Sequence, residues 1–268
     1  MLTPERFEIS IIIVNYQSVL SLEKALCSLK SADILLEKAE IIVVNNDISE
    51  ENQVRLLSER FHFTSITLPV NKGFGNAANA AASVATGKIL CFLNPDVEFA
   101  TGSFEKLFRF FDVHKEIGVV GGRLISKDGR PETWSAGKSH TLYRIFRNKC
   151  TVCPDRRYWQ STHSVAVEWV SGGSLFVRAD LFKELAGFDE QYFLYFEDMD
   201  LCKRVREAGY TIVSFPLISF VHEGGASRAS DVARKKAYYK SQDIYFHKHR
   251  PGWERIVIRL LRFGLMKV

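Results

Sequence analysis

The feature that most constrains this chain is an alternation in its first hundred residues. Apolar runs the length of a strand are separated by stretches with helical spacing. "ISIIIVNY", "AEIIVVNND" (39–47), the shorter "TSITLP" and "KILCFLNPDVEF" are the strand candidates, and the last breaks at Asn94-Pro95. The first, second and fourth runs are apolar almost throughout rather than at every second residue, the mark of strands covered on both faces. Between them, Leu20 to Lys30, Glu50 to Arg60 and the Ala-rich part of "NKGFGNAANAAASVATG" read as helices, the last with Gly87 as its stop. Strand-helix alternation of this kind predicts an α/β chain with a mostly parallel central sheet flanked by helices. Ligands of such sheets bind at the carboxyl ends of the strands. Here those ends carry Asn15, Asn45, Asn46, Asp47, Asn94 and Asp96.

Further along, a helix is expected from Ser103 to His114 and a strand at "IGVVGGRLI". The polar, aromatic-spotted stretch from 126 to 164 offers no clear period. "VEWVSGGSLFVRADLFKELAGFDE" resumes as strand, Gly-rich turn, strand and a short helix closed by Gly187. "MDLCKRVREAGY" is helical with Gly209 as its stop, and "TIVSFPLISFVHEGG" is a strand ending at His222. At 268 residues with no internal repeat or linker, the expectation is one domain over 1–227, followed by a basic helical extension over 228–268.

Charge is uneven. The chain is +5 overall, yet from Arg228 onward eleven Lys/Arg face three Asp/Glu, so the rest is slightly acidic. In "WERIVIRLLRFGLMKV", Arg255, Arg259 and Arg262 repeat along one helical face, while Trp253, Ile256, Val257, Leu260, Leu261 and Leu265 share much of the other. This pattern suits an interfacial helix on an anionic membrane surface and equally a helix packed on its own domain. No nucleic-acid-binding motif accompanies the charge, so nucleic acid is not expected as a partner. Five scattered cysteines, an odd number, point to reduced thiols and a cytoplasmic location; Cys150-Thr-Val-Cys153 has no second pair to make a zinc site. The N-terminus lacks the pattern of an export signal, and the apolar runs are shorter than the roughly 18 residues of a membrane span.

Three groups of residues carry chemistry. Gly73-Phe-Gly75-Asn-Ala-Ala78 fits the G-x-G-x-x-G/A dinucleotide fingerprint, with Asp96 near the place of a ribose-binding acid, so an oxidoreductase is one reading. Against it, the motif follows the third strand, not the first. Asn94-Pro95-Asp96 places two oxygen-bearing side chains at a strand end, half of a site for Mg²⁺ or Mn²⁺, and His222 is a candidate further ligand. Finally, "YFLYFEDMDLC" (192–202) sets Glu197, Asp198 and Asp200 behind a run of aromatics. Acids there serve a helix start or a catalytic carboxylate at the rim of a site; Asp200 also stands at i, i+4 to Arg204.

Taken together, "IIIVNY", "IIVVNND", "NKGFGNAAN", "FLNPDVEF", "WVSGGSLFVR", "GFDEQYFLYFEDMDLCKRVREAGY" and "VHEGGASR" resemble the family 2 inverting glycosyltransferases of the GT-A fold, rhamnosyltransferase-like members in particular, over roughly residues 9 to 250. The resemblance implies a nucleotide-sugar donor (dTDP- or UDP-linked) bound by a nucleotide-sugar half over 1–125, and a saccharide or lipid-linked saccharide acceptor met by an acceptor and catalytic half over 126–227. It implies donor contacts at Asn15, Asn45, Asn46, Asp47, Asn71, Gly73, Gly75, Asn79, Asn94, Asp96 and Arg228, and a metal at Asp96 and His222. Acceptor contacts are implied at Trp169, Gly172, Gly173, Ser174 and Glu197, with Asp198 as the base and Glu197 its alternate. Asn94 and Asn45 stand where many relatives have Asp. The activity implied is sugar transfer, best matched by L-rhamnose from dTDP-rhamnose, or another hexose from a UDP- or GDP-sugar, in surface-polysaccharide or lipopolysaccharide assembly.

Overall fold

The computed structural model describes residues 7–32, 38–133, 135–150, 155–223 and 231–265. Ser227, Arg228 and Cys153 lie outside them. In chain order the first half contains β1 (Ile9–Asn15), α1 (Val19–Ser31), β2 (Ala39–Asn45), α2 (Glu51–Phe61), β3 (Thr64–Thr67), α3 (Phe74–Val84), β4 (Ile89–Leu93), β5 (Val97–Gly102), α4 (Phe104–Val113) and β6 (Ile117–Ile125). The second half contains β7 (Ala136–Gly137), α5 (Leu142–Cys150), α6 (Arg156–Trp159), β8 (Val165–Val167), β9 (Trp169–Val170), β10 (Ser174–Arg178), α7 (Ala179–Glu184), α8 (Glu197–Glu207), β11 (Thr211–His222), α9 (Asp231–His249) and α10 (Gly252–Leu265).

A nine-stranded sheet in the order β3-β2-β1-β4-β10-β6-β11-β5, with β8 beside β11, forms the centre. Its β3-β2-β1-β4 part is wholly parallel, as is the β6–β11 pair. β10 runs antiparallel to both its neighbours, β4 and β6. Pro95 turns the chain out of β4, and β5 then crosses to the far edge to pair antiparallel with β11.

The apolar runs are uninterrupted because each strand serves two cores. Ile9, Ile11 and Ile13 face Leu22 and Leu26 of α1, Val54 of α2 and Leu107 of α4. Ile12 and Val14 face Ala77, Ala78 and Ala81 of α3, Phe182 of α7 and Leu201 of α8. A third, smaller cluster joins Tyr192 and Phe196 to Tyr245, Phe246 and Ile258. It packs α9 and α10 onto the body around the start of α8.

Two expectations change. The unassigned 126–164 stretch contains α5 and α6, whose amphipathic spacing is hidden among basic and aromatic residues. Gly87 does not stop α3, which ends at Val84; a side chain there would meet the Ser10 backbone at 2.4 Å. Its role is close packing against β1.

Candidate active site

The β1–β2 register sets Asn15 beside Asn45, and Leu93, just before Asn94, beside Ile13. Parallel pairing thus collects the polar strand ends at one edge. Asn15 Nδ2 donates to Asn45 Oδ1 at 3.1 Å and to Glu50 Oε2 at 2.9 Å. Asn45 Nδ2 donates to the Asp47 carbonyl at 2.7 Å. Asn46 Nδ2 donates to Asn71 Oδ1 at 3.0 Å, and that oxygen also accepts the Gly73 N–H at 2.8 Å. Hydrogen bonds from Gln17 and Ser49 hold the Asp47 carboxyl below its ordinary range. The Asn46 N–H, donated to the Asn15 carbonyl at 2.8 Å, joins these bonds into one network that takes in six of the expected donor contacts, Asn15, Asn45, Asn46, Asp47, Asn71 and Gly73. Asn46 Oδ1 is buried without a partner among the described residues, an open acceptor at the sheet edge.

Gly73, Gly75 and Asn79 are drawn to a different task. Gly73 has φ +104°, and a Cβ there would lie 2.3 Å from the Phe193 carbonyl, which accepts the Phe74 N–H at 3.0 Å. Gly75 packs on Phe188, and Asn79 clasps the Phe188 backbone through both its amide atoms at 2.9 Å. The glycine motif seats the loop that leads into α8.

That loop is strained where it matters. Tyr195 and Phe196 have φ of 68° and 71°, the left-handed region, costing about 1–3 kcal/mol each. Burial of Phe196 against Tyr238, Tyr245 and His140, and a Ser241 hydroxyl donated to the Leu194 carbonyl at 2.7 Å, hold the turn. Its product is the direction of Glu197 and Asp198. Both line a cavity of about 620 Å³ together with Asn94, Glu132, Trp169, Gly172, Gly173 and His222.

Asp198 Oδ2 accepts the Gly172 N–H at 2.9 Å and Oδ1 accepts the Met199 N–H at 2.7 Å. Glu197 is buried and its Oε2 has no partner among the described residues. Burial raises both carboxyls above their ordinary range, and the neighbouring Asp198 charge adds to the rise at Glu197. The two backbone N–H groups oppose that rise at Asp198 and favour its ionised form, whereas Glu197 Oε2 has no such partner among the described residues.

A raised carboxyl pKa means that the folded state keeps its proton longer than the unfolded chain, where Glu titrates near ~4.3. Stability contributed by Glu197 therefore falls as pH rises above that value. Glu197→Gln, a mimic of the protonated form, is expected to stabilise the fold by about 1–3 kcal/mol at alkaline pH. The gain should shrink to nothing near pH ~4. Urea unfolding across that range measures it, and a pH-independent difference contradicts the assignment.

At the cavity's other side, His222 ends β11 and faces Val97 of β5 in register. Its Nε2 lies 3.4 Å from Asp96 Oδ1, and its Nδ1 2.7 Å from Glu132 Oε2. Burial alone would lower the imidazole pKa, but the flanking Asp96 and Glu132 carboxylates overcome it and lift it to about 10. Asp96 and His222 Nε2 are close enough to share a cation, whose binding would displace the ring proton that the two carboxylates otherwise favour, with Glu132 orienting the ring through its other nitrogen. Among the described residues no three His, Cys, Asp or Glu form a complete cage. Two protein ligands fit Mg²⁺ or Mn²⁺, which fill their remaining positions with phosphate oxygens and water.

Trp169, from β9, donates its indole N–H to the Lys138 carbonyl at 3.0 Å and turns its ring to the cavity wall. The Gly173 carbonyl accepts the Asn94 N–H at 3.3 Å, linking the Gly-Gly turn to the Asn-Pro-Asp turn. Ser174 lies within β10 with its hydroxyl buried and unpartnered among the described residues. Sequence reasoning passed over Glu132, His140 and the apolar lining of Phe74, Ile145 and Tyr238. Burial holds His140 down at about 4, so it faces the cavity as neutral imidazole. Their signal is weak because each is a lone residue, far along the chain from its partners. Asp200 points away from this cavity, into an ion-pair cluster with Arg204, Lys248 and His249.

Residues 10–169 match the family described as "Glycosyl transferase family 2". The chain is 26% identical over 271 residues to the N-acetylglucosaminyl-diphospho-decaprenol L-rhamnosyltransferase of Mycobacterium tuberculosis, covering 93% of this chain and 87% of that one. Among solved structures it resembles S. aureus TarS 1–349 in complex with UDP, with TM-score 0.60 and 15% identity over 90% of this chain and 72% of that one. It also resembles the mannosyltransferase PcManGT from Pyrobaculum calidifontis in complex with GDP-Man and Mn²⁺, with TM-score 0.61 and 18% identity over 91% and 64%. These folds are of the GT-A type.

Proposed function

Because the chain belongs to glycosyl transferase family 2 and is thus a glycosyltransferase, we propose that it moves a sugar from a nucleotide donor to a saccharide hydroxyl with inversion, using Asp198 as the base. The observation that carries this reading is one cavity lined by Asp198 and by His222, which in turn touches Asp96. Asp198 takes the proton of the acceptor hydroxyl as that oxygen attacks the anomeric carbon. The bond from that carbon to the nucleoside diphosphate breaks on the opposite face, and the diphosphate leaves with the electron pair. Protonated Glu197 keeps a second negative charge away from the incoming alcohol. Asp96 and His222 are the residues that would hold a divalent cation, which would supply positive charge to the departing diphosphate.

Donor recognition is assigned to the network of Asn15, Asn45, Asn46, Asp47 and Asn71 beside Asn94, with the free Asn46 oxygen suited to an N–H of the base. Trp169, Gly172 and Gly173 are assigned to the acceptor, whose sugar ring can lie on the indole. We assign L-rhamnose, from dTDP-rhamnose as the sequence resemblance implies, and a lipid-linked saccharide acceptor, in line with a Mycobacterium relative named for L-rhamnosyl transfer to N-acetylglucosaminyl-diphospho-decaprenol. The oxidoreductase reading loses its footing because the glycine motif is filled by Phe193 and Phe188.

A panel of dTDP-, UDP- and GDP-sugars assayed for Mn²⁺-dependent hydrolysis and transfer tests the assignment, with dTDP-rhamnose expected to turn over fastest. Asp96→Ala should remove Mn²⁺-dependent donor binding in calorimetry. Glu132→Ala should weaken Mn²⁺ binding by roughly 10–100-fold through loss of the ring's orientation. Equal donor affinity for the Asp96 variant with and without chelator rules the metal assignment out.

A further inference from the structure

Helix α10 presents two unlike faces. Glu254, Ile258 and Arg262 turn inward. Ile258 is buried with Phe196, Tyr245 and Phe246, Glu254 pairs with Arg250 and accepts the Leu142 N–H at 3.3 Å, and Arg262 bonds Gln242 and Asp243. The inward turn of Arg262 departs from the all-arginine outer face that its spacing suggests. The opposite face carries Trp253, Ile256, Leu260 and Leu261, which are 60, 59, 65 and 46% exposed. Their spacing of three, four and one makes a continuous stripe along the helix. Among the described residues nothing covers it, although a soluble surface rarely strings large apolar side chains together.

Beside the stripe run Arg255 and Arg259, the latter half-exposed at 3.4 Å from Asp243. Exposed Lys235, Lys236 and Lys240 on α9 extend the positive surface. We propose that this face of α10 docks on an anionic lipid bilayer, with Trp253, Ile256 and Leu260 entering the headgroup boundary and Arg255 and Arg259 meeting lipid phosphates. Charge decides the occupant. A second copy of the chain would bring Arg255 and Arg259 towards their own counterparts or leave them unneutralised, whereas an anionic surface satisfies stripe and cations at once.

Docking on this side has a geometric consequence. Ile145 and Tyr238, which line the cavity, pack in the same cluster as Ile258. The bilayer would therefore lie about one helix diameter, ~10 Å, beyond that cavity wall. Resting on the glycosyltransferase reading above, this suits an acceptor saccharide carried on a lipid and presented from the membrane surface.

The test is sedimentation of the full chain with vesicles of phosphatidylcholine alone or with 30% phosphatidylglycerol, run beside Trp253→Ser/Ile256→Ser/Leu260→Ser and Arg255→Gln/Arg259→Gln variants. Expected are at least ten-fold tighter binding to the anionic vesicles, a ten-fold or greater loss in the triple variant, a smaller loss in the arginine variant, and weakening in high salt. Because Trp253, Ile256, Leu260 and Arg259 are exposed and half-buried Arg255 bonds the exposed His247, melting temperature and vesicle-free nucleotide-sugar hydrolysis should stay unchanged. Equal sedimentation of wild-type and triple variant overturns the proposal, as does a wild-type dimer that the triple variant dissolves while neither binds vesicles. Vesicle binding through this face by a chain that hydrolyses no nucleotide sugar would retain the docking surface and reject the catalytic reading instead.

Discussion

Asp198→Asn is expected to lower sugar transfer by about 10²–10⁴-fold, the range of a lost general base, while nucleotide binding changes little. The substitution is nearly isosteric. Its amide oxygen can still accept one of the two N–H groups, from Gly172 or Met199, that position the carboxylate, so α8 should begin as before. What disappears is the proton acceptor. Because burial raises the Asp198 carboxyl, transfer by the unaltered chain should also fall as pH drops and that group protonates. In the variant that dependence should vanish with the activity. Transfer within a few fold of the unaltered chain would instead hand the role to Glu197, and Glu197→Gln would then show the deeper loss. Calorimetry with nucleoside diphosphate separates a binding defect from a chemical one.

How much of this was legible beforehand depends on the distance over which a residue's role is decided. β1, β2, β4 and β11 were readable because burial on two faces forces continuous apolar runs, and their polar ends mark the sheet edge. Glu197 and Asp198 were readable as a pair, since the acids follow the aromatics directly and form the first turn of α8. The left-handed turn at Tyr195 and Phe196 that aims them was not, because neither residue type favours it and only tertiary packing imposes it. Glu132 was invisible for a similar reason: its partner His222 is 90 residues away, and an isolated Glu in a polar loop has no local signature. Gly73 shows the opposite fault. Its motif was conspicuous, but the backbone that needs its missing side chain belongs to Phe193, not to a cofactor.

Asp200 combines both cases, and its removal is expected to have the largest effect on stability. Spacing alone pairs it with Arg204, whose Nε lies 2.7 Å from Oδ2. The fold adds Lys248 Nζ at 2.7 Å and His249 Nε2 at 2.6 Å from Oδ1, both from the last turn of α9. Burial by itself would raise this carboxyl, but hydrogen bonds from His249 and Lys248, with the Arg204 charge, hold it far below its ordinary range. Asp200→Ala leaves four polar or cationic groups, the Tyr192 hydroxyl at 3.4 Å being the fourth, around an emptied, fully buried position, which should cost about 3–5 kcal/mol in chemical denaturation. Arg204 retains the Leu185 and Gly187 carbonyls, so α8 keeps one anchor while α9 loses its ionic tie. The stabilisation is fully present above the unfolded carboxyl pKa of ~3.9 and is lost as pH falls from there through the depressed folded value. The difference between variant and unaltered chain should accordingly narrow in strong acid. Since α9 also carries Tyr238 in the cavity wall and Ser241 beneath the Leu194 turn, loosening it should slow transfer as well as weaken the fold. A variant equally slow but as stable as the unaltered chain would show that Asp200 acts in the chemistry and not through this tie.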